Sequence, residues 1–212
     1  ATPRVLKDIL RVFDPAVDER EGRLFPFVTS PCATTIFWRH RELVQRLETV
    51  AAEQLEPLWV DVTVLQLMAD ILAAAYARHG LPNKATRQDT AAEHAERVEA
   101  AKTYLASHLS ERVALDKLAR AVHASPFHLA RIFQQQTGVP VHRYLTHLRL
   151  RAALERLTGS SDDLTMIALD LGFSSHSHFT DAFRQTFGCA PSAIRRHNDR
   201  RTLSEMSKIL EA

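Results

Sequence analysis

Apolar residues recur at helical spacing through most of the chain and alternate in only a few places. Between Thr34 and Gln54, Phe37, Leu43, Val44, Leu47 and Val50 fall roughly on one side of a helix. Over residues 58–78, Val60, Val64, Leu67, Met68, Ile71, Leu72 and Ala75 trace the stripe of a buried helix. Val60, Val62 and Val64 also alternate, so a strand start competes there. Two amphipathic helices of this kind form a core, and the same faces suit a dimer interface. Residues 1–32 read as irregular, because Pro3, Pro15, Pro26 and Pro31 interrupt the pattern, with Leu24-Phe25 and Phe27-Val28 as a candidate short strand. His79, Gly80, Pro82 and Asn83 end the second helix with turn formers, and the polar stretch to Thr90 reads as a linker.

The second half is patterned more sharply. A helix is predicted over 91–109, with Val98, Ala101, Tyr104, Leu105 and Leu109 facing in, and another over 115–122. A third starts at Ser125-Pro126, since Ser is a good N-cap and Pro fits the first helical position, and it stops at Thr137-Gly138. A long helix from Pro140 to about Leu157 follows, then helices over 164–171 and 175–187, the last closed by Gly188. A short piece follows Pro191, and Leu203, Met206 and Leu210 suggest a final short helix.

This half contains a repeat. Ser125, His128, Phe133, Gln135 and Gly138 recur as Ser175, His178, Phe183, Gln185 and Gly188, at an offset of 50. The preceding helices match at 49, with Leu115, Leu118, Ala119 and Val122 answering to Leu164, Ile167, Ala168 and Leu171. Each copy is a short helix, a tight turn and an amphipathic helix, the plan in which the second helix enters the DNA major groove. The turns align His123 with Gly172, where a left-handed residue is expected. The long helix between the copies spans ~25 Å, and successive major grooves on one DNA face lie ~34 Å apart. One chain can then read two adjacent grooves, with some bending of the DNA.

Charge sharpens that picture. The whole chain of 212 residues carries only +2. Residues 117–201 hold twelve Lys and Arg against six Asp and Glu, whereas residues 1–90 hold eleven against twelve. A basic excess coinciding with the repeats is what phosphate neutralisation needs, although charge alone would describe a solvated helical face equally well. Six glycines and abundant Leu, Ala and Arg favour helix over sheet. Cys32 and Cys189 are too few for a disulfide framework or a four-cysteine zinc site, fit a reducing compartment, and read as structural thiols. No signal peptide, phosphate loop or hydrolase motif is present, and Asp61, Gln66 and Asp70 make the most apolar stretch a poor membrane span.

Residues 93–197 resemble the DNA-binding domain of the AraC/XylS family of bacterial transcription regulators. The resemblance rests on Leu115, Leu118 and Ala119; on Ser125, His128, Leu129, Arg131 and Phe133; on Gly138, Arg149-Leu150, Ile167-Ala168 and Gly172-Phe173; and on Ser175, Ser177, Phe179, Phe183, Gly188, Pro191, Ser192 and Arg196. It implies a mainly α protein whose C-terminal part is a seven-helix, bilobed double helix-turn-helix domain with a long linker helix. It further implies double-stranded promoter DNA as ligand, activation more often than repression, contact with RNA polymerase, a cytoplasmic location and no cofactor or metal. By the same resemblance, 1–88 corresponds to the helical end of a sensor and dimerisation region. A homodimer would form through helices 34–54 and 58–78, and a small-molecule effector is unidentified. Residues 198–212 form a basic tail and short helix. The sequence begins at Ala1, which fits either a natural short form or a fragment lacking a sensor barrel.

Candidate contacts follow. In the first recognition helix Leu129, Ile132 and Phe133 point inward. By resemblance Phe127, Ala130 and Arg131 match base- and backbone-contacting positions, with Arg131 suited to guanine or to a phosphate. Ser125 is an N-cap that could also meet a phosphate. In the second helix Phe179, Ala182 and Phe183 point inward, which leaves His176, Ser177, Thr180, Asp181 and Arg184 for DNA, together with Ser175 at the cap. Asp181 suits cytosine N4 or the orientation of Arg184. His128 and His178 read as packing or phosphate contacts rather than metal ligands. Arg195, Arg196, Arg200 and Arg201 form a basic run that either touches the DNA backbone or is solvated. Two alternatives compete: a DNA-repair alkyl transferase carrying the same module, which would need a zinc-thiolate cluster, and a protein-interaction helix-turn-helix module.

Overall fold

The computed structural model describes residues 3–19, 25, 27, 32–79, 91–159, 162–196, 206 and 208–210. Among them every regular element is helical: α1 (Pro3–Phe13), α2 (Thr34–Thr49), α3 (Pro57–Arg78), α4 (Ala91–Ser107), α5 (Leu115–Ala121), α6 (Pro126–Thr137), α7 (Val141–Gly159), α8 (Leu164–Asp170), α9 (His176–Phe187) and α10 (Pro191–Arg196). Single 3-10 turns follow α1 at Pro15–Glu19 and α2 at Ala52–Gln54. The mainly α architecture expected from the spacing is the one observed.

Two cores divide the C-terminal half, and α7 serves both. Val141 and Leu145 enter a cluster with Val98, Leu105, Leu118, Leu129 and Phe133. Two turns later Leu150, Ala153, Leu154 and Leu157 enter a second cluster with Ile167, Phe173, Phe179 and Phe183. At 19 residues α7 is about 28 Å long at 1.5 Å per residue, enough to hold two lobes apart as a rigid strut. At its midpoint stands Arg149, only 1% exposed.

The N-terminal region departs from expectation in three places. Residues 3–13 are helical rather than irregular, because the prolines bracket the helix instead of breaking it. Pro3 opens α1, where a missing N–H is no loss, and Pro15 lies past its end. Between them Val5, Leu6, Ile9, Leu10 and Phe13 make one apolar face, with Ile9 and Leu10 fully buried. Secondly, no strand forms at Phe25 and Phe27, which sit in irregular backbone; Phe27 packs on Tyr76 and His79. Leu24 and Val28 lie outside the described residues. The alternation at Val60, Val62 and Val64 is absorbed into α3. Thirdly, α2 buries Ile36 and Leu43 and leaves Phe37 and Leu47 exposed, because it rests chiefly on α3 along a narrow seam and ends at Thr49.

Helix α3 is long and apolar enough to cross a membrane by length and composition alone. Its polar groups are instead spent inside the fold. Asp61 Oδ2 accepts from the backbone N–H of Leu115 at 3.1 Å, Asp70 pairs with Arg39, and the Tyr76 hydroxyl donates to Asp14 at 3.4 Å. It packs against α1, α2, α5 and α7, so it buries more than one stripe, including Leu58, Leu65 and Tyr76 outside the expected set.

Candidate nucleic-acid interface

The duplicated motif folds as two helix-turn-helix units, α5–α6 and α8–α9. The turns carry the left-handed residues that the alignment of His123 with Gly172 calls for, at φ 54° and 82°. Ser125 and Ser175 cap the second helices alike. Each Oγ accepts from the backbone N–H three residues on, His128 at 3.2 Å and His178 at 3.1 Å. Capping turns each serine back on its own helix, the N-cap reading of both. Gly138 and Gly188 end the helices at φ 76° and 73°. The inward residues are those expected: Leu129, Ile132, Phe133, Phe179 and Phe183 are completely buried.

The outward faces differ between the lobes. On α9, His176, Ser177, Asp181 and Arg184 are exposed, and Thr180 is half-buried. The structure therefore brings these five residues onto one accessible face. On α6 the equivalent face is partly covered: Phe127 is buried, Ala130 and Arg131 are half-buried and Gln134 is exposed. Phe127, expected to present its ring to DNA, is only 7% exposed and belongs to the core. The cause is tertiary: Phe127, Ala130, Arg131 and Gln134 wall a cavity of about 220 Å³ whose other side is formed by Val12 and Phe13 of α1 and by Val62, Leu65, Gln66, Ala69, Asp70 and Ala73 of α3. Ala130 and Arg131 are half-buried, and the Arg131 Nε is buried without a hydrogen-bond partner.

The remaining candidates are placed as follows. His128 packs edge-on against His94 at 5.1 Å and lies near Arg97 of α4. His178 lies edge-on to Phe173 and within 3.0 Å of the Ser174 hydroxyl, and burial lowers its pKa below the ordinary imidazole value, with Arg46 and Arg149 adding to the effect. Both histidines are thus packing groups. Arg195 is half-buried and donates to the carbonyl of Asp162, which turns it toward its own lobe. The side chain of Arg196, and Arg200 and Arg201 entirely, lie outside the described residues, as do Leu203 and most of the tail, whereas Met206 is buried against the second core. Cys189 is half-buried, with its thiol pKa raised by burial; Cys32 is exposed, so its expected packing role is not what the structure shows.

Sequence reasoning named Arg149 only as part of a motif and missed its work. Its Nε donates to the Leu109 carbonyl at 2.9 Å, one Nη to the Glu111 carbonyl at 2.8 Å, and the other meets Glu56 at 3.1 Å. Its guanidinium also faces the Phe173 ring at 5.8 Å. One side chain thereby joins the N-terminal region, the loop before α5 and the turn of the second motif. The available signal was an arginine at an otherwise apolar position of the linker helix.

The chain is similar to several known proteins. Residues 118–197 match a family described as a helix-turn-helix domain. Over 113 residues the chain is 34% identical to the regulatory protein PocR of Salmonella typhimurium, covering 53% of this chain and 37% of that one. Over 210 residues it is 28% identical to the HTH-type transcriptional activator RhaS of Escherichia coli, covering 86% of this chain and 76% of that one. The chain thus spans little more than a third of the first relative and about three quarters of the second. Among solved structures, a regulator with an AraC-type DNA-binding domain from Chromobacterium violaceum aligns at 28% identity and a TM-score of 0.48, over 51% of this chain and 97% of that one.

Proposed function

We propose that this chain, whose residues 118–197 match a helix-turn-helix domain and which is similar to a transcriptional activator, is a regulator of the AraC/XylS family that activates transcription by reading promoter DNA with α6 and α9 in successive major grooves. The observation that carries this reading is the open face of α9, where Ser177, Asp181 and Arg184 project from a helix capped and packed as a major-groove reader. Arg184 has the reach for a base edge or a phosphate, and Asp181 accepts from cytosine N4 or steers Arg184. Ser175, His176 and Thr180 flank them, and Arg131 and Ala130 supply the same face of α6. Arg195 lies at the edge of the second lobe, and Arg196, beside it in the chain, is a candidate backbone contact.

The relatives are transcription regulators, which disfavours the alkyl-transferase alternative. A protein-binding patch is depleted in charge at its centre, whereas this face centres on Asp181 and Arg184. Selection of bound duplexes from a random pool tests the proposal. The expected result is one asymmetric site spanning two major grooves, with affinity falling steeply as salt rises. Arg184→Ala should weaken binding by about 1–3 kcal/mol. No enrichment, or salt-independent binding, would refute it. Separately, the exposed Phe37, Trp38, Leu47 and Ile71 of α2 and α3 support a homodimer through those helices. A monomer by sedimentation at micromolar concentration would count against that arrangement.

A further inference from the structure

The two recognition helices are internal controls for one another, and they are not in the same state. Positions 127, 130, 131 and 134 of α6 answer to 177, 180, 181 and 184 of α9. On a helix with 100° per residue these four lie opposite Leu129, Ile132 and Phe133, on the side that must meet the bases. In the second lobe that side is open. In the first it is roofed, except at exposed Gln134, by the N-terminal region: α1 packs directly on α6, and α3 walls the same cavity. We infer that α1, backed by α3, is an autoinhibitory mask over the first recognition helix, and that it must leave before the first lobe can bind DNA. The inference rests on the proposed reading of α6 as a groove-binding helix.

Steric size makes the mask incompatible with docking. The major groove is about 12 Å wide and admits one helix. A second helix packed on the outward face adds an interaxial distance of about 8–10 Å. The covered complex therefore cannot enter. Composition points the same way. The covered face carries Phe127 and Ala130 where the open face carries Ser177 and Thr180. Leaving Phe127 in water would forfeit hydrophobic stabilisation that α1 supplies with Leu10 and Phe13. The contact is also incompletely satisfied. The Arg131 Nε is buried with no partner, a polar group that gains by meeting a phosphate or guanine once the mask opens. A contact that is apolar enough to form and polar enough to be unsatisfied suits a reversible cover.

The test uses the full chain with charge introduced into the cavity from the mask side. Val12→Arg fills the cavity from half-buried Val12 with a cation beside Arg131, where Asp70 is already paired with Arg39, and Ala69→Arg fills it from α3. Ala77→Arg adds the same charge at an exposed α3 position outside the cavity. The probe is the duplex population selected from a random pool by the Val12→Arg chain. A mask closed nine-tenths of the time lowers apparent affinity about tenfold. Both cavity variants should therefore bind about tenfold more tightly than the unaltered chain, and Ala77→Arg should match it. Hydrogen exchange of the unaltered chain should show faster exchange in 3–13 on adding this DNA while α6 becomes protected. Equal affinities in variants whose helicity by circular dichroism is intact would overturn the mask and leave DNA reading in place. Slow exchange in 3–13 with α6 protected by DNA would do the same. Absence of any selectable duplex for every variant would overturn both.

Discussion

Gly172 supplies the most exacting test of the fold. It holds φ at +82°, and a Cβ added there would sit 2.7 Å from the Ser110 carbonyl oxygen and 2.9 Å from an Nη of Arg149. Those neighbours are backbone and a buried, fully engaged guanidinium, so neither can step aside. Gly172→Ala should therefore carry two penalties. The left-handed conformation costs about 1–2 kcal/mol in any L-residue. The overpacking adds about 1–3 kcal/mol, for a total of about 2–5 kcal/mol. Gly138 and Gly188 provide the control, because their φ values are 76° and 73° but nothing lies within 4 Å of an added Cβ. Alanine at either should cost only the conformational part. His123, at φ 54° in the equivalent turn of the first lobe, already bears it, so His123→Gly should be neutral or stabilising. Urea unfolding of the four variants measures the series. If Gly172→Ala shifted the midpoint no further than Gly138→Ala and Gly188→Ala, the close packing of this turn on Ser110 and Arg149 would be wrong.

Three further outcomes follow from the geometry. Burial pushes the His142 imidazole down to about 4, with Arg143 and Arg46 contributing, so the folded state binds fewer protons than the unfolded chain between that value and 6.5. Stability should be full above pH 6.5 and fall by about 3 kcal/mol as pH drops toward 4, and His142→Gln should flatten that decline in a pH series of thermal melts. Arg149→Met strands Glu56, which is 11% exposed, and two loop carbonyls, and should cost about 3–5 kcal/mol in urea unfolding; a change below 1 kcal/mol would deny Arg149 its joining role. Ser125→Ala and Ser175→Ala each remove one capping bond and should each cost about 1 kcal/mol, read by the same unfolding assay.

What could be read from the sequence was whatever local chemistry dictates. Between residues 115 and 188 the helix ends fall within about two residues of those expected, because Ser125, Ser175, Gly138 and Gly188 are stop and start signals that act on their own neighbours. The inward residues of α6 and α9 were equally legible, being fixed by spacing. The candidate contacts on α9 lie on an accessible face for the same reason. The burial of Phe127 could not be read, because its surroundings come from α1, over a hundred residues earlier, and no periodicity records that. Likewise the four early prolines looked like breakers when two of them delimit a helix. On α2, a single-sided pattern could not say that only a narrow seam would find a partner.

The anchoring of the N-terminal region also decides which part of it can move. Polar contacts pin α3 to the C-terminal half: Glu56, just before its first residue, pairs with Arg149 at 3.1 Å, and Asp61 holds the N–H of Leu115 at 3.1 Å. Both partners are themselves buried in the lobes, so displacing α3 would disturb α5 and the midpoint of α7 together. Helix α1 meets its neighbours largely through apolar side chains. Ile9, Leu10 and Phe13 share a core with α3 and α6, the Tyr76 hydroxyl of α3 donates to Asp14 at the C-terminal end of α1 at 3.4 Å, and Arg11 pairs with Asp8 and Asp18 nearby. Apolar contact is non-directional and can be exchanged for another apolar or solvated surface without stranding a charge. With α3 tied through Glu56 and Asp61, the opening proposed above is assigned to α1 swinging away from a stationary α3. It follows that DNA should speed hydrogen exchange in 3–13 and leave 57–78 unchanged. Equal acceleration in both helices would mean that the Glu56–Arg149 tie breaks as well, and the lobes would then have to rearrange on binding.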